Sequence, residues 1–331
     1  MDVQDQPLVS VLTPVYNGES YLKECIESVL AQTYSKWEYT IVNNCSTDRT
    51  REIAEEYAKR DSRVRVCNAD VLVPIIANHN RAFKTISPKS KYCKVVSADD
   101  AIFPECLMRM VELAEAHPSI GLVGSYQVSG GEDKWYVRFA GLPYTTTFMT
   151  GRDVCRAQLM TSLSVFGAPT SNMYRADLVR STDEFFPNPT AEADVSACFL
   201  HLKNADFGFV HQVLSYERLH NVRVTAASQD MNAYVPSHIA DLLTYGPWYM
   251  SAEEIHKRLQ ELLDEYYEFL AVSAVNFREK KFWSYHKRRL KELGHPLDSV
   301  KLTGAVSAKL ADLVLNPKTT VERVLRRTRA E

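Results

Sequence analysis

Two adjacent carboxylates, Asp99 and Asp100, follow the apolar run Tyr92, Cys93, Val95 and Val96. That run reads as a buried strand. Two carboxylates at the end of a central strand repel one another unless something cationic sits between them. A divalent metal escorting a phosphate answers that need, because hard cations take oxygen ligands. A plainer role is also open, with Asp100 as a turn residue or helix cap. Pro104 follows and opens a helix carrying Leu107, Met110, Val111 and Ala114. Asp194 begins a further apolar-periodic segment and reads there as a helix N-cap.

The elements around these residues alternate between strand and helix periodicity. Strands are predicted at 8–15, 37–43, 63–67 and 92–96, with helices at about 19–31, 49–59 and 75–86 between them. Such alternation implies βαβ units, a parallel sheet and right-handed crossovers, hence an α/β fold. Ligands of open parallel sheets bind outside the carboxyl ends of the strands. Those ends are the polar stretches 13–18, 43–48, 68–70 and 99–100, which could line one crevice. Neither G-x-G-x-x-G nor G-x-x-x-x-G-K-[ST] occurs, which argues against a dinucleotide fold or a phosphate loop.

Further on, a strand at 121–129, a Gly130-Gly131 turn and a hairpin partner at 135–139 are predicted. A helix at 150–159, a loop into strand at 167–174, a helix at 194–202, a strand at 207–216 and a charged loop at 217–223 follow. From about residue 228 only helical periodicity remains. Breaks fall at Gly246-Pro247, Gly294-His295-Pro296 and Asn316-Pro317. The division is therefore 1–227 and a helical region 228–331, whose aromatic stripe Tyr266, Tyr267, Phe269, Phe277, Phe282, Trp283 and Tyr285 reads as helix–helix core.

The 331 residues are 45% hydrophobic and 24% charged, a globular composition, and the net charge of −2 argues against a general nucleic-acid binder. Seven scattered cysteines without a C-x-x-C pair fit reduced thiols and a cytoplasmic location. The polar, acidic start is no signal peptide, and no apolar run approaches the roughly 20 residues of a membrane span. Arg323, Arg326, Arg327 and Arg329 with Val321, Val324 and Leu325 would suit either a solvated face or a short helix lying at the inner membrane surface.

Five motifs in order resemble the inverting, metal-dependent glycosyltransferases of the GT-A fold, the family 2 group, over roughly residues 7–226. Residues 9–17 (VSVLTPVYN) are similar to the opening strand and nucleotide loop. Residues 28–34 with Trp37-Glu38 are similar to the first helix and second strand. Asn43-Asn44-Cys45-Ser46-Thr47-Asp48 stands at the acidic loop, Ala77–Ala82 at the small-x-x-Asn helix, and Ser97-Ala98-Asp99-Asp100 at the D-x-D segment. The resemblance implies a Rossmann-like, mostly parallel sheet and Mg²⁺ or Mn²⁺ as cofactor. It also implies a nucleotide-sugar donor, UDP-linked for preference, and a hydroxyl acceptor on a surface glycan or lipid-linked precursor.

The family pattern places the base against Thr13, Pro14 and Tyr16, with Asn43 where relatives carry an acid and Ser46 beside it. An amide can accept one hydrogen bond and donate another, but the charge-assisted component is lost. Asp99 would hold the ribose, Asp100 the metal, and His220 a third metal position or a diphosphate contact. Asn80 would anchor the diphosphate or tie helix to loop, and Arg218 or Arg223 would pair with phosphate. Asp194 would be the general base, with Glu192 its competitor. Two rivals remain: a sugar nucleotidyltransferase, disfavoured because 13–19 lacks a basic residue, and a catalytically silent glycan-binding or scaffold subunit, supported by Asn43, Asn44 and Ser97. The helical region could also serve homo-oligomerisation.

Overall fold

The computed structural model describes residues 6–131, 134–138, 141–161, 164–187, 192–219 and 231–315. The chain divides into two compact units, 1–223 and 224–331.

The first unit is an α/β sheet. Strands β1 (Val9–Val15), β2 (Trp37–Asn43), β3 (Val64–Asn68) and β4 (Tyr92–Val95) run parallel in the order β3-β2-β1-β4. Helices α1 (Leu22–Leu30), α2 (Thr50–Arg60) and α3 (Ile75–Phe83) make the crossovers. Register levels the strand ends, with Val15 opposite Asn43 and Asn43 opposite Asn68. The loops after β1, β2 and β3 therefore open at one edge, as the crevice rule requires. Leu22, Cys25, Ile26 and Val29 of α1 are buried at helical spacing against Val9 and Val11, which face them at strand spacing.

Beyond β4 the sheet turns mixed. The strand β5 (Ala101–Ile102) precedes α4 (Cys106–Ala116), which buries Cys106, Leu107, Met110, Val111 and Ala114. Strand β6 (Ile120–Gly130) forms a hairpin with β7 (Trp135–Arg138), and β8 (Phe148–Met149) leads to α5 (Gly151–Met160). Strand β9 (Asn172–Arg175) lies antiparallel between β4 and β6. After α6 (Ala176–Arg180) and α7 (Ala193–His201), β10 (Asp206–Arg218) runs parallel to β6 and antiparallel to β5 and β8. The two-residue strands β5 and β8 are too short to give a periodic signal, so the sequence reading passed over them.

The second unit contains α8 (Tyr234–Tyr249), α9 (Ala252–Val275), α10 (Lys280–Glu292) and α11 (Ser299–Leu315). Ser251 and Glu254 form a capping box that starts α9. Two sequence expectations fail here. Helix α8 runs through Gly246-Pro247: the proline sits near its C-terminal end, and the missing Cβ of Gly246 leaves space for Ile255, 3.3 Å from where that atom would be. Phe277 is 91% exposed at φ +52°, in the turn after α9, so it is not core. Tyr266, Phe269, Phe282 and Tyr285 pack around His286, whose Nδ1 lies 2.6 Å from the Tyr266 hydroxyl, while Trp283 packs on Phe282 and the Tyr267 hydroxyl accepts from Asp298 N–H at 2.7 Å. The break at Gly294 stands, with that glycine at φ +80°. Residues from 316 on, including the arginine-rich segment, lie outside the described residues. Among the described residues no helix is long and apolar enough to cross a membrane.

Candidate functional site

Asp99 and Asp100 sit in the turn after β4, closed by Asp100 N–H donating to the Ser97 carbonyl at 3.0 Å. Helix α4 begins only at Cys106, so Asp100 is a turn residue and not a helix cap. Its carboxylate is buried and fixed at both oxygens. Thr170 Oγ1 donates to Oδ2 at 2.6 Å, and the Arg218 backbone N–H to Oδ1 at 3.3 Å. Burial raises the Asp100 carboxyl well above its ordinary value, and the nearby charges of Asp99 and Glu217 add to this. The two hydrogen bonds pull the other way and do not overcome it. Crowded oxygen donors that disfavour their own ionisation fit a hard divalent cation. Asp100 would hold it, with further oxygens coming from a donor diphosphate. Among the described residues no group of three His, Cys, Asp or Glu side chains is gathered for a metal, and His220 lies outside them.

Arg218 reaches this corner from the end of β10. Its Nε donates to the Asp99 carbonyl at 3.3 Å, its guanidinium pairs with Glu24, and it lies over the Tyr21 ring at 4.5 Å. Arg223 lies outside the described residues.

The loop after β2 is knitted together by amides. Asn43 is buried, donates to Asn68 Oδ1 at 2.9 Å and accepts from Ser46 N–H at 3.1 Å. Ser46 Oγ accepts from Asn17 N–H at 2.9 Å, and Asn17 Oδ1 accepts from Thr47 N–H at 2.8 Å. Asn17 and Cys45 hold positive φ, at 50° and 58°, a region that asparagine tolerates. Asn44 Oδ1 accepts from Val73 N–H and from Arg81. Asp48 accepts from the N–H groups of Glu19 and Thr50 and from the Thr50 hydroxyl. Burial opposes its charge, but these donors outweigh it and hold the carboxyl below its ordinary value. Beside this loop Tyr16 is 49% exposed and presents an open ring, whereas Pro14 is buried in β1.

Two expected donor contacts have other work in this conformation. The Thr13 hydroxyl is fully buried and donates to the Val96 carbonyl at 2.8 Å, beside Tyr39 and Cys25. Asn80 donates to the Phe186 carbonyl at 3.0 Å and accepts from its N–H at 2.9 Å, so it ties helix α3 to a distant loop. Thr13 is the fifth of seven consecutive buried positions of β1.

Asp194 lies in the first turn of α7, which starts at Ala193; the N-cap position belongs to Glu192, two residues earlier, so Asp194 is not the cap the sequence suggested. Burial raises its carboxyl to about 6. Glu192 adds to the rise, while the N–H groups of Val195 and Asp194 and the charge of Arg138 oppose it. Arg138 also donates to Glu217 at 2.7 Å, and Glu217 acts on Asp100. One electrostatic network thus reaches from the Asp pair to Asp194.

Sequence reasoning missed Thr170, Lys94, Arg138 and Glu217. Lys94 is fully buried and donates to the carbonyls of Thr170 and Asn172, the latter at 3.0 Å, so it braces the loop that carries the Thr170 hydroxyl. Burial lowers its amine, and Asp100 acts against that. A lysine within the otherwise apolar strand β4 is the signal that could have found it. Outside the site, His201 stacks on Phe185 at 4.1 Å, and a ring nitrogen of His79 lies 2.9 Å from the Ile75 carbonyl.

The family model for glycosyl transferase family 2 matches residues 10–181, more than half of the chain, and the protein belongs to that family. The uncharacterized glycosyltransferase EpsJ of Bacillus subtilis is 38% identical over 118 residues, covering 36% of this chain and 33% of EpsJ. The glycosyltransferase GlyG of Streptococcus pneumoniae is 32% identical over 155 residues, covering 46% of this chain and 47% of GlyG. The match spans less than half of either relative. Among solved structures, Staphylococcus aureus TarS 1–349 in complex with UDP-GlcNAc superposes with TM-score 0.63 at 18% identity, over 97% of this chain and 92% of that one. The mannosyltransferase PcManGT of Pyrobaculum calidifontis, with GDP-Man and Mn²⁺, gives 0.56 at 14%, over 95% and 88%. These likenesses share the GT-A fold.

Proposed function

We propose that the protein is a metal-dependent inverting glycosyltransferase that moves a sugar from a nucleotide-diphosphate donor, UDP-linked for preference, to a hydroxyl of a glycan or glycolipid acceptor. The observation that carries this reading is the Asp99–Asp100 corner. There a buried carboxylate is held by Thr170 and Arg218 and crowded by its neighbours, at the mouth of a parallel sheet. The exposed Tyr16 ring would flank the base, and Asp99 would hold the ribose hydroxyls. A bound divalent cation supplies charge neutralisation for the leaving diphosphate. In the transfer the acceptor oxygen bonds to the anomeric carbon as the bond to the diphosphate oxygen breaks. The electron pair leaves with the diphosphate, and Asp194 takes the hydroxyl proton.

Thermal melting with UDP, GDP, CDP and dTDP, each with Mn²⁺ or with chelator, tests the donor half. A ligand at a hundred times its dissociation constant stabilises by about 2.7 kcal/mol. A metal-dependent shift with one nucleotide, absent in Asp100→Ala, is expected and names the base. No shift with any nucleotide would overturn the reading and favour a silent glycan-binding subunit, for which Asn43 in the acid's place is the supporting observation.

A further inference from the structure

The β6–β7 hairpin carries an aromatic surface that donor binding does not use. Trp135 is 60% exposed, and its ring stacks on Tyr216 with centroids 5.1 Å apart and planes 25° apart. The Arg218 guanidinium carbon lies 5.2 Å from the Tyr216 ring centre and 4.5 Å from that of Tyr21. Arg218 Nε in turn donates to the Asp99 carbonyl. A continuous stack therefore leads from solvent at Trp135 to the Asp99–Asp100 corner.

The backbone is shaped to hold that indole. Trp135 faces Gly130 across the ladder, and a Cβ on Gly130 would lie 2.6 Å from the indole ring, so only glycine lets the ring lie on the strand. The Gly130 carbonyl accepts from the Tyr216 hydroxyl at 3.1 Å and from Leu219 N–H at 2.7 Å, which locks hairpin to β10. A prepositioned aromatic loses little freedom on contact.

We propose that Trp135 is an acceptor subsite, its indole face stacking on the C–H face of a pyranose ring in the acceptor glycan away from the reacting hydroxyl. The proposal rests on the glycosyltransferase reading above. Aromatic faces are electron-rich and attract the weakly positive C–H groups of a sugar ring. Continuity with the transfer site selects the occupant: the Trp135–Tyr216–Arg218 stack ends at the Asp99 carbonyl, where the proposed reaction places the donor. Tyr136 and Val137 beside it are exposed as well, and a second copy of the chain is the alternative that the test separates.

The test is saturation-transfer NMR on the full chain with methyl glucoside, methyl mannoside and chitobiose, with sorbitol as the control. Transfer to ring C–H protons of at least one saccharide above the sorbitol level is expected. It should weaken about tenfold in Trp135→Ala and survive in Trp135→Phe. The nucleotide melting shift should be the same in both variants, which reports an intact fold. Equal transfer in Trp135→Ala, or no saccharide exceeding sorbitol, overturns the subsite. A dimer that Trp135→Ala makes monomeric also overturns it and gives the surface to a second copy. Trp135-dependent saccharide transfer without any nucleotide shift would keep the subsite while the glycosyltransferase reading fails.

Discussion

The Asp99–Asp100 corner and the start of α7 hold carboxyls raised above their ordinary values, for different reasons. Both are desolvated, but Asp100 is also repelled by Asp99 and Glu217 while two fixed donors pin its oxygens. Asp194 meets Glu192 as a like charge, and Arg138 tempers it. Crowding of like charge favours a cation, because the cation relieves every pair at once. Desolvation without crowding favours a proton, and a carboxylate brought to about 6 can take one from a hydroxyl near neutral pH. In the proposed reaction, neighbouring charge is what would separate the metal's place from the base's.

Asp194→Asn should break the base side of that contrast most deeply. Turnover should fall about 10²–10⁴-fold with the nucleotide melting shift unchanged; normal transfer by the variant would remove Asp194 as the base. Thr170→Val deletes the donor to Asp100 and leaves a buried carboxylate with one partner fewer. Affinity for the metal and nucleotide together should drop at least about tenfold, since a hydrogen bond to a charged group contributes roughly 1.5–3 kcal/mol, read from melting against nucleotide concentration.

The pH dependence sharpens the contrast further. Activity should decline below about pH 6 as Asp194 takes a proton, and the acid limb should be measured with saturating metal. Stability carries the opposite sign. Between the ordinary 3.8 and about 6 the native state binds more protons than the unfolded chain. This group's contribution therefore falls as pH rises through that window. Melting temperatures of wild type and Asp194→Asn should accordingly agree near pH 4 and separate in favour of the variant by pH 7. The smallest effect belongs to the loop after β2. Asp48→Ala should cost about 1 kcal/mol as an N-terminal helix partner, visible in chemical denaturation with the Asp100 site unaffected.

Much of the first unit was legible because its strands and helices repeat their apolar positions at periods of 2 and 3.6 over enough residues to count. The Asp pair was legible because adjacent carboxylates after an apolar strand are chemically unusual. Thr170 and Glu217 were not, since they act on Asp100 from positions 70 and 117 residues away in the chain, and no local pattern encodes that meeting. Asn43 and Asn80 illustrate the converse. Their residue types suit donor contacts, yet their amides are committed to Asn68, Ser46 and Phe186.

The sequence by itself determined the α/β class, the helical character of the second unit and the loops that gather at one sheet edge, because periodicity and strand order are properties of neighbours along the chain. Tertiary structure alone decided which polar groups are spent on the fold and which face the crevice. It also decided that Trp135 lies flat on Gly130 and stacks on Tyr216, 81 residues further along the chain. Burial, charge crowding and ring stacking depend on distances in space, and only the folded chain fixes those.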